Sequence, residues 1–282
     1  MKQRQRTMRY KGKDVYLAKY DIVFKALLLS DGDYSLLASL LSSILSIEVQ
    51  AEDISVLNVE LPPEHGTGRL SRMDIRIRTP ENSHINVEIQ LTDEKNMDRR
   101  SIYHLSRLYT GQMRAKMRFN DLGPAIAINI LDFKYLPYEE YHNVYRLKNV
   151  RNNEELTSVF EINFIELPKV TPEGSDTLKD LWMRFISAEN EEVLDMLAEQ
   201  SPIMEKAVKK LVYVSADELV RYEMDMREKA ELDYWDAMIR NNEEIAKELL
   251  IMGMSIEQIS KATKLSVHDI SLIKDKNNQP AV

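Results

Sequence analysis

Two stretches of the chain alternate apolar and polar residues with a period of two, and five residues of turn chemistry separate them. Over Arg69–Arg78, Met73, Ile75 and Ile77 share one face, and Arg72, Asp74, Arg76 and Arg78 share the other. Over His84–Leu91, Ile85, Val87, Ile89 and Leu91 face one way, and Asn86, Glu88 and Gln90 the other. The link between them, T-P-E-N-S (79–83), is rich in residues that favour tight turns. Two alternating strands joined so closely pair antiparallel, so this part of the chain must form a β-hairpin with one polar face.

Asp74 and Glu88 are fourteen residues apart, with their midpoint at Glu81 in the centre of the turn. A symmetric turn therefore sets them opposite each other, with Cβ atoms about 5 Å apart. Gln90 follows on the same face, about 7 Å further along the strand. Two carboxylates at that distance repel unless a proton or a cation lies between them. Oxygen donors of this kind suit Mg²⁺ or Mn²⁺, which keep several waters and accept phosphate oxygens. Arg72 and Arg76 can compensate the charge or hold phosphate. A slip of one residue sends the pair to opposite faces, and the hairpin is then an ordinary exposed one of mixed charge.

The rest of the chain is organised around this hairpin. Residues 1–13 are basic and unpatterned and read as a flexible arm. Helical spacing follows over Tyr20–Leu29 and Tyr34–Leu45, then an extended segment at Ile54–Leu61. After the hairpin come a long helix from Asp93 to Met117 and the continuously apolar strand Pro124–Leu131. Two further strands fit around Val144–Leu147 and Val159–Leu167. Beyond Pro172 the pattern is helical: Leu178–Ala188, Glu191–Glu199, Ile203–Val214, Ala216–Ile239 and Glu243–Met252. This order predicts an α/β core over 14–172 and an all-helical region over 173–282. The latter ends in a helix-turn-helix-like pair at 254–275, with Ser255 and Ser266 as N-caps. No Arg or Asn sits at the start of its second helix to read bases, so a packing or dimerisation hairpin is the alternative there.

Composition limits the function classes. The chain has no cysteine, which excludes disulfides, thiolate metal sites and thiol nucleophiles. Its histidines lack zinc-ligand spacing. No apolar run approaches a membrane span, and a cytoplasmic location is expected. The net charge of −8 is unevenly distributed. Residues 1–25 carry eight Lys/Arg against two acids and residues 69–118 eleven against six, whereas residues 186–260 carry eight against eighteen. A polyanionic partner suits the first half and not the second.

R-M-D-I-R-I-R (72–78) followed by N-V-E-I-Q (86–90) resembles the PD-(D/E)XK nuclease signature in an E-x-Q form. With D-I-V-F-K (21–25), R-R-S-I-Y-H-L-S-R-L-Y (99–109), L-G-P-A-I-A-I-N-I-L (122–131) and E-I-N-F-I-E-L-P-K (161–169), the chain resembles the Rpn family of recombination-promoting nucleases, also described as transposases. The resemblance spans about residues 15–190. It implies a restriction-endonuclease-like mixed central sheet flanked by helices and Mg²⁺-dependent (or Mn²⁺-dependent) hydrolysis of DNA phosphodiesters. It implies metal binding by Asp74, Glu88 and the Ile89 carbonyl, and a catalytic set of Asp74, Glu88 and Gln90. Gln90 stands where the broader signature has lysine, and an amide can orient water or donate to phosphate but cannot serve as a base.

Asp21, Tyr109 and Gln112 are further candidates for lining the site; Asp21 also has an i,i+4 partner in Lys25, and the tyrosines also suit a packing face. Arg72, Arg76, Arg99, Arg100 and Arg107 are candidate phosphate contacts, with a solvated helix face as the alternative for the last three. The expected activity is that of a metal-dependent DNA endonuclease linked to recombination, mobile elements or phage defence. Two other readings stay open: a DNA-binding module that kept the fold without turnover, and a scaffold that forms homo-oligomers through the C-terminal helices.

Overall fold

The computed structural model describes residues 5–57, 75–79, 81–171 and 176–277. The chain opens with a hairpin, β1 (Thr7–Tyr10) and β2 (Lys13–Tyr16), paired antiparallel with Tyr10 opposite Lys13. Its two-residue loop, Lys11-Gly12, has φ of 47° and 79°. Positive φ at both central residues is what a tight hairpin turn requires, and glycine meets it without strain. Met8, Tyr10 and Val15 are buried, and the Tyr10 hydroxyl donates to Asp195 Oδ1 at 2.9 Å. The flexible arm expected over 1–13 is therefore wrong for residues 7–13. Apolar residues at alternate positions were there to be read, but each strand is only four residues long.

Two helices follow, α1 (Asp21–Leu29) and α2 (Ser35–Leu45), as the Leu-rich periodicity predicts. The main sheet has six strands: β3 (Ser55–Val56), β4 (Ile75–Arg78), β5 (His84–Gln90), β6 (Ala125–Leu131), β7 (His142–Lys148) and β8 (Glu155–Glu166). Their spatial order is β3-β4-β5-β6-β8-β7. The centre, β5-β6-β8, is parallel, and the flanking pairs are antiparallel. Both faces of β5 and β6 are mainly buried, which explains the unbroken apolar run of β6.

Helix α3 (Met97–Thr110) connects β5 to β6 and lies on one face of the sheet. Leu105 and Leu108 pack on Ala125 and Ala127, while Met97 packs with Leu131 and Phe164. It is shorter than the 93–117 read from the sequence. Asp93 accepts the Lys95 N–H at 2.8 Å, with Lys95 at φ 61°, which holds a turn before the helix. Gly111 caps its end.

Three more helices, α4 (Leu178–Ser187), α5 (Glu191–Gln200) and α6 (Pro202–Ala216), belong to the same compact unit as the sheet. Trp182 on α4 is fully buried and donates from Nε1 to Ser39 Oγ of α2 at 3.0 Å. The unit boundary falls at 220/221 rather than at 172. The sequence pattern marks where strands stop and cannot show which helices still cover the sheet.

The second unit, 221–282, contains most of α7 (Glu218–Ile251), α8 (Ile256–Thr263) and α9 (Val267–Asn277). Two helices were expected over 216–252, but α7 is one helix of 34 residues. Asn241-Asn242 costs only a few tenths of a kcal/mol each, and no Gly or Pro interrupts it. Ala246, Ile259, Ile270 and Ile273 form the buried core of this unit. Ser255 caps α8 in a reciprocal box with Gln258, and Ser266 Oγ accepts the Asp269 N–H at 3.1 Å, so both expected caps form.

Candidate functional site

The polar hairpin has the register its turn dictates. Ile75 pairs with Val87, Arg76 with Asn86, Ile77 with Ile85 and Arg78 with His84, all centred on residue 81. The Thr79 N–H donates to Ser83 O and the Asn82 N–H to Thr79 O, both at 3.0 Å, which closes the turn. The one-residue slip does not occur in these pairs. Asp74 and Arg72 lie outside the described residues.

Glu88 does not face solvent. It is only 2% exposed, on the face of β5 that α3 covers, aligned with Asn129 of β6. Arg100, on α3, meets it with two nitrogens on one oxygen: Nε donates to Oε1 at 2.9 Å, and Nη2 donates to the same atom. Among the described residues, the other oxygen, Oε2, is buried without a hydrogen-bond partner. Asn86 Oδ1 and His104 Nδ1 are buried and unpartnered in the same way. Beside them Ser101 Oγ donates to Asn129 Oδ1 at 3.0 Å, and Asn129 Nδ2 donates to the Asn163 carbonyl at 3.1 Å.

The strip under α3 is thus polar, buried and incompletely satisfied, whereas buried polar atoms normally find partners. An ordinary exposed hairpin is excluded. The sequence reading missed Ser101, His104 and Asn129. The signal was Arg100, Ser101 and His104 at helical spacing beside Leu105 and Leu108, which marks polar residues on an inward face.

Burial and nearby charges set the local electrostatics. Burial lowers the His104 pKa below the usual histidine value. The charges of Arg100, Arg76 and Arg107 add to this, and Glu88 opposes it. Burial and the charge of Arg107 likewise lower the Arg76 pKa. Glu88 Oε2, without a hydrogen-bond partner among the described residues, is a hard oxygen donor of the kind divalent ions take.

The other candidates are placed as follows. Gln90 ends β5 and is part-exposed; its Nε2 donates to the Thr92 carbonyl at 3.3 Å. Ile89 is buried within β5, opposite Ile130. Asp21 opens α1, and its Oδ1 accepts the Ile22 N–H at 2.9 Å. Tyr109 packs edge-on against Phe160 at 4.9 Å, with Leu105 and Leu108 nearby. Gln112 is buried with both amide atoms on the Gly123 backbone: Oε1 accepts the N–H at 2.8 Å, and Nε2 donates to the carbonyl at 3.0 Å. Arg99 is exposed, and Arg107 lies 5.8 Å from the centre of the Tyr103 ring.

The chain is a mixed α/β protein, a six-stranded sheet flanked by helices, with Glu88 buried on a central strand beside an antiparallel neighbour. The family model described as PD-(D/E)XK nuclease family transposase matches residues 18–242, and the chain belongs to that family. Neither a curated protein nor a solved structure gives a significant match. A nuclease-type or transposase-related function follows from the family. Among the described residues, no helix is long and apolar enough to cross a membrane.

Proposed function

We propose that the protein is a divalent-metal-dependent DNA endonuclease whose site is built by Asp74, Glu88 and Gln90. The observation that carries this reading is the Glu88 carboxylate, with Oε1 fixed by Arg100 and Oε2 buried with no hydrogen-bond partner among the described residues. Asp74, Glu88 and the Ile89 carbonyl would hold Mg²⁺ or Mn²⁺. Such an ion supplies polarisation of the scissile phosphate and acidification of an attacking water. Gln90 orients that water or donates to a phosphate oxygen. Arg72, Arg76, Arg99 and Arg107 hold the DNA backbone, with Arg99 on the exposed face of α3. The arginine-rich half of the chain offsets its acidic total where DNA would lie. A cytoplasmic setting, a role in recombination, mobile elements or phage defence, and self-association through the C-terminal helices belong to the same proposal.

Supercoiled plasmid tests it. The wild type is expected to nick or cut with Mg²⁺ or Mn²⁺, and Asp74→Ala and Glu88→Ala to leave the plasmid supercoiled. A wild type that leaves plasmid intact across a range of salt concentrations rejects the reading. Gln90 in place of lysine favours one rival, a DNA-binding module without turnover. Equal gel shifts by wild type and Asp74→Ala, with cleavage by neither, would support that module.

A further inference from the structure

Arg100 was expected from the sequence to touch phosphate, yet in the structure both of its bonded nitrogens are on Glu88. We propose that Arg100 is the internal counter-cation of Glu88, and that a divalent ion must compete with it for that carboxylate; this rests on the nuclease reading above. A carboxylate at 2% exposure needs a positive partner, because burying an unpaired charge is costly. Among the described residues, the cation bonded to Glu88 is Arg100. The guanidinium and a bound ion would therefore serve the same charge-balancing role at Glu88.

Arg100 and a divalent ion at Oε2 would sit a few ångströms apart with like charge. Even at the dielectric constant of water, repulsion between a single and a double charge weakens ion binding about tenfold at ~6 Å and more at closer range or in the low-dielectric interior. Loss of the geometric hold that Arg100 exerts on Glu88 acts in the other direction, but one ordered side chain is a smaller effect. Repulsion decides the sign, so the arginine lowers the affinity of the site for metal.

The geometry allows Arg100 to leave. Its side chain is 29% exposed and lies at the rim, whereas α3 is held independently by Met97, Leu105, Leu108 and the Ser101–Asn129 hydrogen bond. A guanidinium released from Glu88 offers its planar fork to a phosphate oxygen. Loading of the cation and capture of the substrate backbone are thereby coupled through one side chain.

The test is Mn²⁺ binding to the full-length protein at pH 8, followed by electron paramagnetic resonance of the free ion, with folding checked by circular dichroism. R100Q is expected to bind Mn²⁺ about tenfold more tightly than wild type while cleaving plasmid more slowly. R100K keeps the charge, so its Mn²⁺ affinity is expected to stay near that of wild type. A merely structural arginine would lower Mn²⁺ affinity when replaced. Folded R100Q that binds Mn²⁺ equally or more weakly overturns the proposal; if R100Q does not fold, R100M with no gain in affinity overturns it. If wild type binds Mn²⁺ and Glu88→Ala does not, the metal reading stands even where the Arg100 proposal falls. If wild type binds none, both fall.

Discussion

Replacing Gln112 with alanine separates two roles that one residue was given. As a site-lining group it would matter for cleavage; in the structure it is a strut. Its side chain bridges the end of α3 to Gly123, just before β6, through bonds of 2.8 and 3.0 Å. Gly123 cannot yield, because a Cβ there would lie 1.8 Å from the Asn82 carbonyl oxygen. The strut thus presses the entry of β6 against the β4–β5 turn, where His84 N–H donates to Pro124 O at 2.7 Å.

Gln112→Ala removes two buried hydrogen bonds worth about 1 kcal/mol each and strands a backbone donor and acceptor, for a total loss of about 3 kcal/mol. Urea unfolding followed by Trp182 fluorescence, in a Trp235→Phe background, should show the midpoint fall by about 1 M. Gln112→Glu should recover little of this, since it sets a carboxylate oxygen against the Gly123 carbonyl. An unmoved midpoint combined with lost cleavage would refute the strut and return Gln112 to the site.

Burial is the leading cause of pKa values below the usual one for His84, His104 and His142. A base with a depressed folded pKa binds fewer protons than in the unfolded chain, so its contribution is complete above the ordinary histidine value of 6.5 and is lost as pH falls below it. The urea midpoint should therefore decline from pH 7.5 to 5, and His104→Asn should flatten part of that slope; an unchanged slope contradicts the assignment. In the second unit, Lys264 sits at φ 62° at the end of α8. Lys264→Gly should stabilise the α8–α9 pair by about 1 kcal/mol, read as slower amide hydrogen exchange there. Ser255→Ala should act oppositely by a similar amount. On the nuclease reading, Arg99→Ala should lower the salt slope of DNA binding by about 0.9, the loss of one phosphate contact.

Much of the sheet was legible because its signals are local. The alternation over 84–91 and the centre of the T-P-E-N-S turn fix the observed β4–β5 register, and the apolar run of 124–131 marks a central strand. What covers each face was not legible. Nothing in N-V-E-I-Q says that its polar side is buried; that follows from α3 lying across it with Arg100, Ser101 and His104 turned inward. Arg100 itself was read as a surface cation because arginine usually is one, and only the fold supplies the carboxylate it meets. The β1–β2 hairpin escaped notice because four-residue strands carry too little periodicity to stand out from a basic terminus. The gap expected between Ile239 and Glu243 does not form, because Asn241-Asn242 costs a helix only a few tenths of a kcal/mol per residue.

The central claim is that Glu88 offers Oε2 to a divalent ion, and anomalous diffraction from crystals grown with Mn²⁺ addresses it directly. The account predicts a manganese peak about 2 Å from that oxygen. Well-ordered density with manganese elsewhere, or absent, and Glu88 still held by Arg100 alone would contradict it.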